Sequence, residues 1–352
     1  MSTAPRFALI GAGVIGKHHG LVMSQLADRL RLVAVADVEP ARAAALTAER
    51  GGRPYSSLDE VLAEQDVDVV VVCTPTGRHG EVAIAALEAG KHVIIEKPAE
   101  VTVERTGEII RARQKAGTLV TVISQHRFDP ATERTLEAIG RGELGRITSG
   151  IASIDWWRGQ SYYDSGGWRG TWELDGGGAL MNQGVHTVDL LVAALGRPVE
   201  VFAYAATLAH QRIEVEDVAA GVVRFESGAL GLLHATTAAY PGLSARLQVH
   251  GDRGSAVIDN DALAFFHSTP VGTDPEERFM GGTQTISGGG GDTAAAANPG
   301  QLSDAHRLQY LNFLGALAGT EKLRVDLETN RQSIAVITAA YESARTGKPV
   351  SL

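Results

Sequence analysis

Residues 6–10 form a short apolar run that passes directly into Gly11-Ala12-Gly13-Val14-Ile15-Gly16, and a helix-like segment follows to about Asp28. A second apolar run, Leu32 to Ala36, ends in Asp37. No other stretch constrains the fold as strongly as this order of strand, glycine-rich turn, helix, strand and acid. Each glycine has its own task. Gly11 permits the tight turn, Gly13 lets the backbone approach a pyrophosphate, and Gly16 lets the helix pack closely on the strand. The helix N-terminus, opening at Val14 and Ile15, turns N–H groups and a positive dipole end toward phosphate. Asp37 follows Gly16 at about 20 residues, where a carboxylate accepts from an adenosine ribose 2′-OH. Its charge favours NAD over NADP, with Arg42 near enough in sequence to keep NADP in play.

The alternation continues. Ala41–Arg50 and Leu58–Glu64 read as helices, the second opened by Ser57. Val67–Cys73 is the clearest buried strand and ends in the turn Thr74-Pro75-Thr76-Gly77. Helices over Glu81–Ala89 and Val103–Lys115 are each followed by glycine, and strands fall at 93–95 and 119–123. This predicts an α/β Rossmann domain, a doubly wound parallel sheet, over residues 1–125. After Ser124 the pattern changes. Pro130–Ile139 reads as a helix, Ile147–Trp157 as a strand, Ala179–Leu195 as an apolar helix, and strand-like runs follow at 199–207, 218–225, 229–237, 245–250 and 254–258. Successive strands with short turns predict an α+β domain with a large, predominantly antiparallel sheet over 126–352. Residues 281–300 read as a mobile loop, and helices over about 304–318 and 329–346 close the chain.

Two places carry chemistry. Val93-Ile94-Ile95 stops at Glu96-Lys97-Pro98. Ligands of open parallel sheets bind just beyond the carboxyl ends of the strands, so Lys97 is placed to act, with Pro98 restricting its backbone. Alone, the tripeptide reads equally as a solvated lysine after a strand. In the second half, Asn182, His186 and Asp189 are spaced four and three apart on an otherwise apolar helix that follows Gly176-Gly177-Gly178. Three polar groups there are costly unless satisfied. They read either as a core histidine capped by Asp189 or as a general base facing a ligand.

These elements resemble the glucose-fructose oxidoreductase / inositol dehydrogenase / rhizopine-catabolism (Gfo/Idh/MocA) family. The resemblance rests on Gly11–Gly16, Cys73-Thr74-Pro75-Thr76-Gly77-Arg78-His79, Glu96-Lys97-Pro98, the Gly176–Leu191 stretch and the closing Tyr341–Gly347. It implies an NAD(P)-dependent oxidoreductase acting on a secondary alcohol of a sugar, cyclitol or sugar derivative, with Lys97, Asn182 and His186 lining the site. Asn182 stands where many members carry aspartate, which removes a charge but keeps a hydrogen-bonding group. Alcohol oxidation needs a hydride acceptor, which the nicotinamide supplies, and a proton acceptor. His186 is the candidate base and Lys97 the cation at the substrate oxygen; residue types leave an exchange of these roles open. On the cofactor side Gly11, Gly13, Val14, Ile15, Gly16, Asp37, Thr74, Pro75, His79, Glu96 and Lys97 are candidates, His79 for the nicotinamide half. On the substrate side Arg127, Asp155, Trp157, Arg158, Trp168, Arg169 and His306 join Lys97, Asn182 and His186. The alternatives are a non-catalytic NAD-binding sensor and a dehydrogenase of a non-sugar diol.

Composition narrows the partners. A net charge of −9 favours neither nucleic acid nor an anionic membrane surface. No apolar stretch approaches the ~18 residues of a membrane span, and no signal-peptide pattern precedes the first strand. The lone Cys73 excludes an internal disulfide and points to a reducing compartment, with the cytoplasm as the expected location. No His/Cys/Asp spacing resembles a zinc site, so no metal is expected. The family resemblance implies a homodimer or homotetramer built through the C-terminal sheet.

Overall fold

A computed structural model describes residues 4–64, 66–269 and 299–352. The Gly/Ala/Ser/Thr-rich stretch expected as a loop lies outside the described residues up to 298; its last two residues already belong to a helix. The chain divides into two units. The first takes the chain through Gln125, Glu173–Gly176 and the segment ending at Arg331; the second takes His126–Trp172, the stretch from Gly177, and Gln332–Leu352.

In the first unit the elements run β1 (Arg6–Ile10), α1 (Val14–Gln25), β2 (Arg31–Ala36), α2 (Pro40–Arg50), β3 (Arg53–Tyr55), α3 (Leu58–Glu64), β4 (Val69–Val72), α4 (His79–Glu88), β5 (His92–Ile95), α5 (Val103–Ala116) and β6 (Val120–Val122). Among the described residues they build a six-stranded sheet in the order β3-β2-β1-β4-β5-β6, parallel throughout. The strand order reverses between β1 and β4, which is where ligands of such sheets lie. Val69 to Val72 have no exposed surface, as befits a central strand covered on both faces. Thr102 caps α5 by accepting from Arg105 N, and Gly117 ends it in the left-handed region. β3 was not legible. It is three residues of an edge strand, Arg-Pro-Tyr, where proline is tolerated because no neighbour needs its N–H.

The late helix α9 (Pro299–Leu317) belongs to this unit. Its Tyr310 and Phe313 are fully buried in one core with Phe7, Leu9 and Met23. Gln309 covers the free edge of the sheet: its amide donates to Val122 O at 2.7 Å and its carbonyl accepts from Ser124 N at 3.0 Å. An unpaired strand edge is thereby closed by a side chain.

The second unit holds α6 (Pro130–Gly140), β7 (Ile147–Asp155), α7 (Gln160–Asp164), α8 (Val185–Leu195), β8 (Pro198–Ala206), β9 (Val218–Phe225), β10 (Leu230–Thr236), β11 (Ala245–Gly251), β12 (Gly254–Asp259) and β13 (Ala262–Ser268). The chain closes with α10 (Leu327–Thr346), most of which lies in this unit, and β14 (Val350–Ser351). The sheet is eight-stranded among the described residues, in the order β13-β12-β11-β7-β10-β9-β8-β14. All its pairings are antiparallel except β7 with β10. One face is covered by α8 and α10. Leu191 meets it at Gly150 and Gly231, where a side chain would collide with the leucine. The other face presents Ile151, Phe202, Tyr204, Val222 and Leu232, with Tyr204 68% exposed.

Candidate active site

At the carboxyl edge of the first unit's sheet, the three glycines separate by cause. A Cβ on Gly11, whose φ is +100°, would lie 2.4 Å from Cys73 O, and one on Gly16 would lie 1.9 Å from Gly11 O. The chain itself requires those two. A Cβ on Gly13 would meet nothing within 4 Å. The open space before Gly13 adjoins an α1 N-terminus that has no side-chain cap, and Val14 is 84% exposed. Uncapped N–H groups at an open helix end are a site for phosphate. Asp37 is fixed beside the turn, its Oδ2 accepting from Ala12 N at 2.7 Å and its Oδ1 from Glu39 N at 2.8 Å. Each oxygen keeps a lone pair for a ribose hydroxyl. After β4, the Thr74 hydroxyl is buried and has no hydrogen-bond partner among the described residues. An orphaned hydroxyl at the switch point fits a polar ligand group. These residues suit a dinucleotide.

His79, expected at the nicotinamide, is placed otherwise. It is buried, with Nδ1 2.8 Å from Pro98 O and Nε2 2.9 Å from Thr74 O. The ring sits between the turn after β4 and the turn after β5, and a neutral imidazole donates its one N–H to one of these two carbonyls. Burial lowers its pKa, with the two carbonyls pulling the other way. Lys97 is half-buried, its peptide bond to Pro98 is cis, and its N–H donates to Glu96 Oε2 at 3.0 Å. Glu96 turns into the interior and is 5% exposed. Its Oε1 lies 2.8 Å from His19 Nε2 and 3.7 Å from His306 Nε2. Burial would raise the Glu96 pKa, but the two histidines hold it well below the carboxylate range. Glu96, expected at the cofactor, and His306, expected at the substrate, thus both lie inside the first unit, where the carboxylate finds its partners.

In the second unit the helix expected over 179–195 is broken. Ala179–Gln183 form a π-helical turn, with Gly184 N bonded to Ala179 O at 2.8 Å, and α8 starts only at Val185. Glu216 anchors this entry by accepting from Gly178 N and Leu180 N, each at 2.8 Å, and from the Tyr341 hydroxyl at 3.0 Å. Burial outweighs these bonds and pushes the Glu216 pKa up to about 7. Asn182 and His186 remain partly exposed in an otherwise buried stretch. Asp189 does not join them. It is buried and holds Arg127 through two bonds, 2.6 and 2.7 Å, with Ser333 as a further donor at 3.1 Å. Arg127, expected on the substrate, is thus half of a buried ion pair.

His126 was missed in the sequence because nothing local marks it. Its ring meets His186 edge to face, with centroids 4.9 Å apart. Its Nδ1 lies 2.8 Å from Asp129 and 3.0 Å from Asp261. Burial lowers its pKa, but the two carboxylates override this and raise it to about 10, so the ring is an imidazolium at neutral pH. Two groups of metal-capable side chains therefore converge from distant segments, His19/Glu96/His306 and His126/Asp129/Asp261. Sequence spacing revealed neither, and hydrogen bonds and ion pairing account for both.

The remaining substrate candidates divide. The Arg158 guanidinium lies over the Trp156 and Tyr162 rings, and that of Arg169 over Tyr162 and Trp168. Gln183 donates to the Tyr162 hydroxyl at 3.1 Å, which links this stack to the turn carrying Asn182. Trp157 packs against Tyr240 and His210. Asp155, expected on the substrate side, lies elsewhere on β7. It pairs with His234 at 2.6 Å on the open sheet face, whereas α8 covers the opposite face, because side chains alternate along β7.

A parallel sheet whose switch point offers an uncapped helix end, an acid fixed beside the glycine-rich turn and an orphaned hydroxyl defines a dinucleotide-binding protein. The chain belongs to the Gfo/Idh/MocA oxidoreductase family: residues 5–124 match its NAD-binding Rossmann fold and residues 132–257 its C-terminal domain. It is 31% identical to an inositol 2-dehydrogenase of Rhizobium meliloti (strain 1021), over 72% of this chain and 76% of that one. It is 29% identical to a 1,5-anhydro-D-fructose reductase of Ensifer adhaerens, over 99% and 98%. Among solved structures it is similar to the WlbA dehydrogenase of Bordetella pertussis in complex with NADH and UDP-GlcNAcA, with a TM-score of 0.86 and 34% identity over 99% of each chain.

Proposed function

We propose that this oxidoreductase transfers a hydride between NAD and a secondary alcohol on a sugar, cyclitol or sugar derivative. The observation that carries the reading is the open space before Gly13 at the uncapped start of α1, with Asp37 fixed beside the turn. Asp37 favours NAD, since a 2′-phosphate would be repelled by it. When bound, the dinucleotide supplies the hydride acceptor. Lys97 is the fixed cation that donates to the substrate oxygen and stabilises developing alkoxide charge. His186 accepts the hydroxyl proton and returns it in the reverse direction. Asn182, uncharged, orients the substrate by hydrogen bonds. Arg158 and Arg169, held on the aromatic stack, favour a sugar derivative that carries an anionic group.

The likeness to a dehydrogenase solved with UDP-GlcNAcA supports that preference, and the inositol and anhydrofructose relatives support a polyhydroxylated ring. NAD+ reduction measured across sugars, cyclitols and UDP-linked sugar acids, with NADP+ in parallel, tests the reading; turnover with none of them would refute it. The open sheet face supports assembly as a homodimer or homotetramer. No described helix is long and apolar enough to cross a membrane. The single, buried Cys73 suits a reducing compartment, and on that basis we place the reaction in the cytoplasm.

A further inference from the structure

The geometry points to His19 and His306 as positioning residues that set Lys97 through the Glu96 carboxylate. The inference rests on the reading of Lys97 as the reacting cation. Glu96 and Lys97 are neighbours where the chain bends just past β5, Glu96 buried and Lys97 partly exposed. The Lys97 N–H closes onto Glu96 Oε2 at 3.0 Å, so anchoring the Glu96 carboxylate inward fixes the backbone from which the Lys97 side chain leaves.

A carboxylate this deeply buried needs partners. His19 supplies one on α1, with Nε2 at 2.8 Å from Oε1. The other ring nitrogen, Nδ1, lies 2.7 Å from the Tyr310 hydroxyl of α9. One neutral tautomer satisfies this whole chain: Tyr310 O–H donates to Nδ1, and Nε2–H donates to Glu96. Burial lowers the His19 pKa and so agrees with a neutral ring. His306 lies within ion-pair distance at 3.7 Å, and His18 meets its ring edge-on at 4.6 Å. The titratable groups that act on Glu96 are thus His19 from α1, Cys73 after β4, His79 from α4, and His306 and Tyr310 from α9, with the Lys97 N–H bonded to its other oxygen. Since α1 also offers its N-terminus to phosphate, the same helix that binds a dinucleotide holds the lysine in place.

The test reads Lys97 directly and needs no known substrate. The protein is reductively methylated with 13C-formaldehyde, and the Lys97 NMR signal is assigned by its absence in Lys97→Ala. His19→Phe removes the donor to Glu96, and His19→Gln restores an N–H. We expect His19→Phe to move the Lys97 resonance and shift its titration by about one pH unit, while His19→Gln recovers most of the wild-type position and NADH binding stays within about three-fold. Should His19→Phe fail to fold, Tyr310→Phe keeps the core ring and removes only the hydroxyl that fixes the tautomer; a smaller shift in the same direction is expected. A folded, NADH-binding variant with an unchanged Lys97 signal and titration overturns the inference. Undiminished turnover in Lys97→Ala would refute the catalytic reading of Lys97 while leaving the positioning result intact.

Discussion

At the scale of single residues, Lys97 and His186 carry the proposed chemistry. Replacing either by alanine is expected to lower kcat by at least about 100-fold, the size of a lost acid–base or charge-stabilising group, while NADH fluorescence titration shows binding retained. A near-normal kcat in either variant would show that its role is misassigned. His126 makes a separate prediction about stability. Its pKa is raised from 6.5 to about 10 in the folded chain by Asp129 and Asp261, after burial has lowered it. The folded state then binds more protons than the unfolded one between those values. The stability this provides is complete below pH 6.5 and is lost as pH rises through 10. The urea midpoint of the wild type should fall more steeply from pH 7 to 10 than that of His126→Gln; parallel curves would contradict the assignment.

At the scale of elements, the glycine-rich turn separates what the fold needs from what a ligand needs. Gly16→Ala drives a Cβ to 1.9 Å from a backbone oxygen, which only a backbone shift relieves. It should cost about 1–3 kcal/mol or more in a denaturant titration. Gly13→Ala meets no protein atom within 4 Å. It should keep wild-type stability and weaken NADH binding by at least about ten-fold, the methyl standing where a phosphate would approach. Loss of stability without loss of binding in Gly13→Ala would show that the open space has a structural cause. The turn was legible in the sequence because its spacing encodes a local conformation. The break at Ala179–Gln183 was not, because the Glu216 carboxylate that holds it comes from a distant segment. The face that Asp155 occupies was hidden for a related reason: proximity in sequence to the tryptophan loop says nothing of which side of the sheet a residue takes.

At the scale of the whole molecule, the two sheets were legible from runs of β-branched residues and glycine punctuation. The edge strands β3, β13 and β14 were not, since an edge strand buries too little to leave a pattern. The affiliation of α9 with the first unit was also hidden. It depends on Gln309, Tyr310 and Phe313 meeting residues more than half the chain away, and no local signal encodes such contacts. The open face of the second sheet exposes Tyr204, Val222 and Leu232 together, a contiguous apolar surface of the kind that a partner chain covers. Leu232→Glu should lower the mass seen by light scattering to that of a monomer without unfolding the chain, and a wild type that is already monomeric would remove the proposed assembly. The central claim is that the chain turns over a ring alcohol with NAD and is not merely a receptor for it. Absorbance at the NADH band, followed with NAD+ and a panel of sugars, inositols and UDP-linked sugar acids, tests this most directly. We predict reduction of NAD+ with at least one of them, abolished in Lys97→Ala. Stoichiometric NADH binding with no turnover on any member of the panel would contradict it and mark the protein as a sensor.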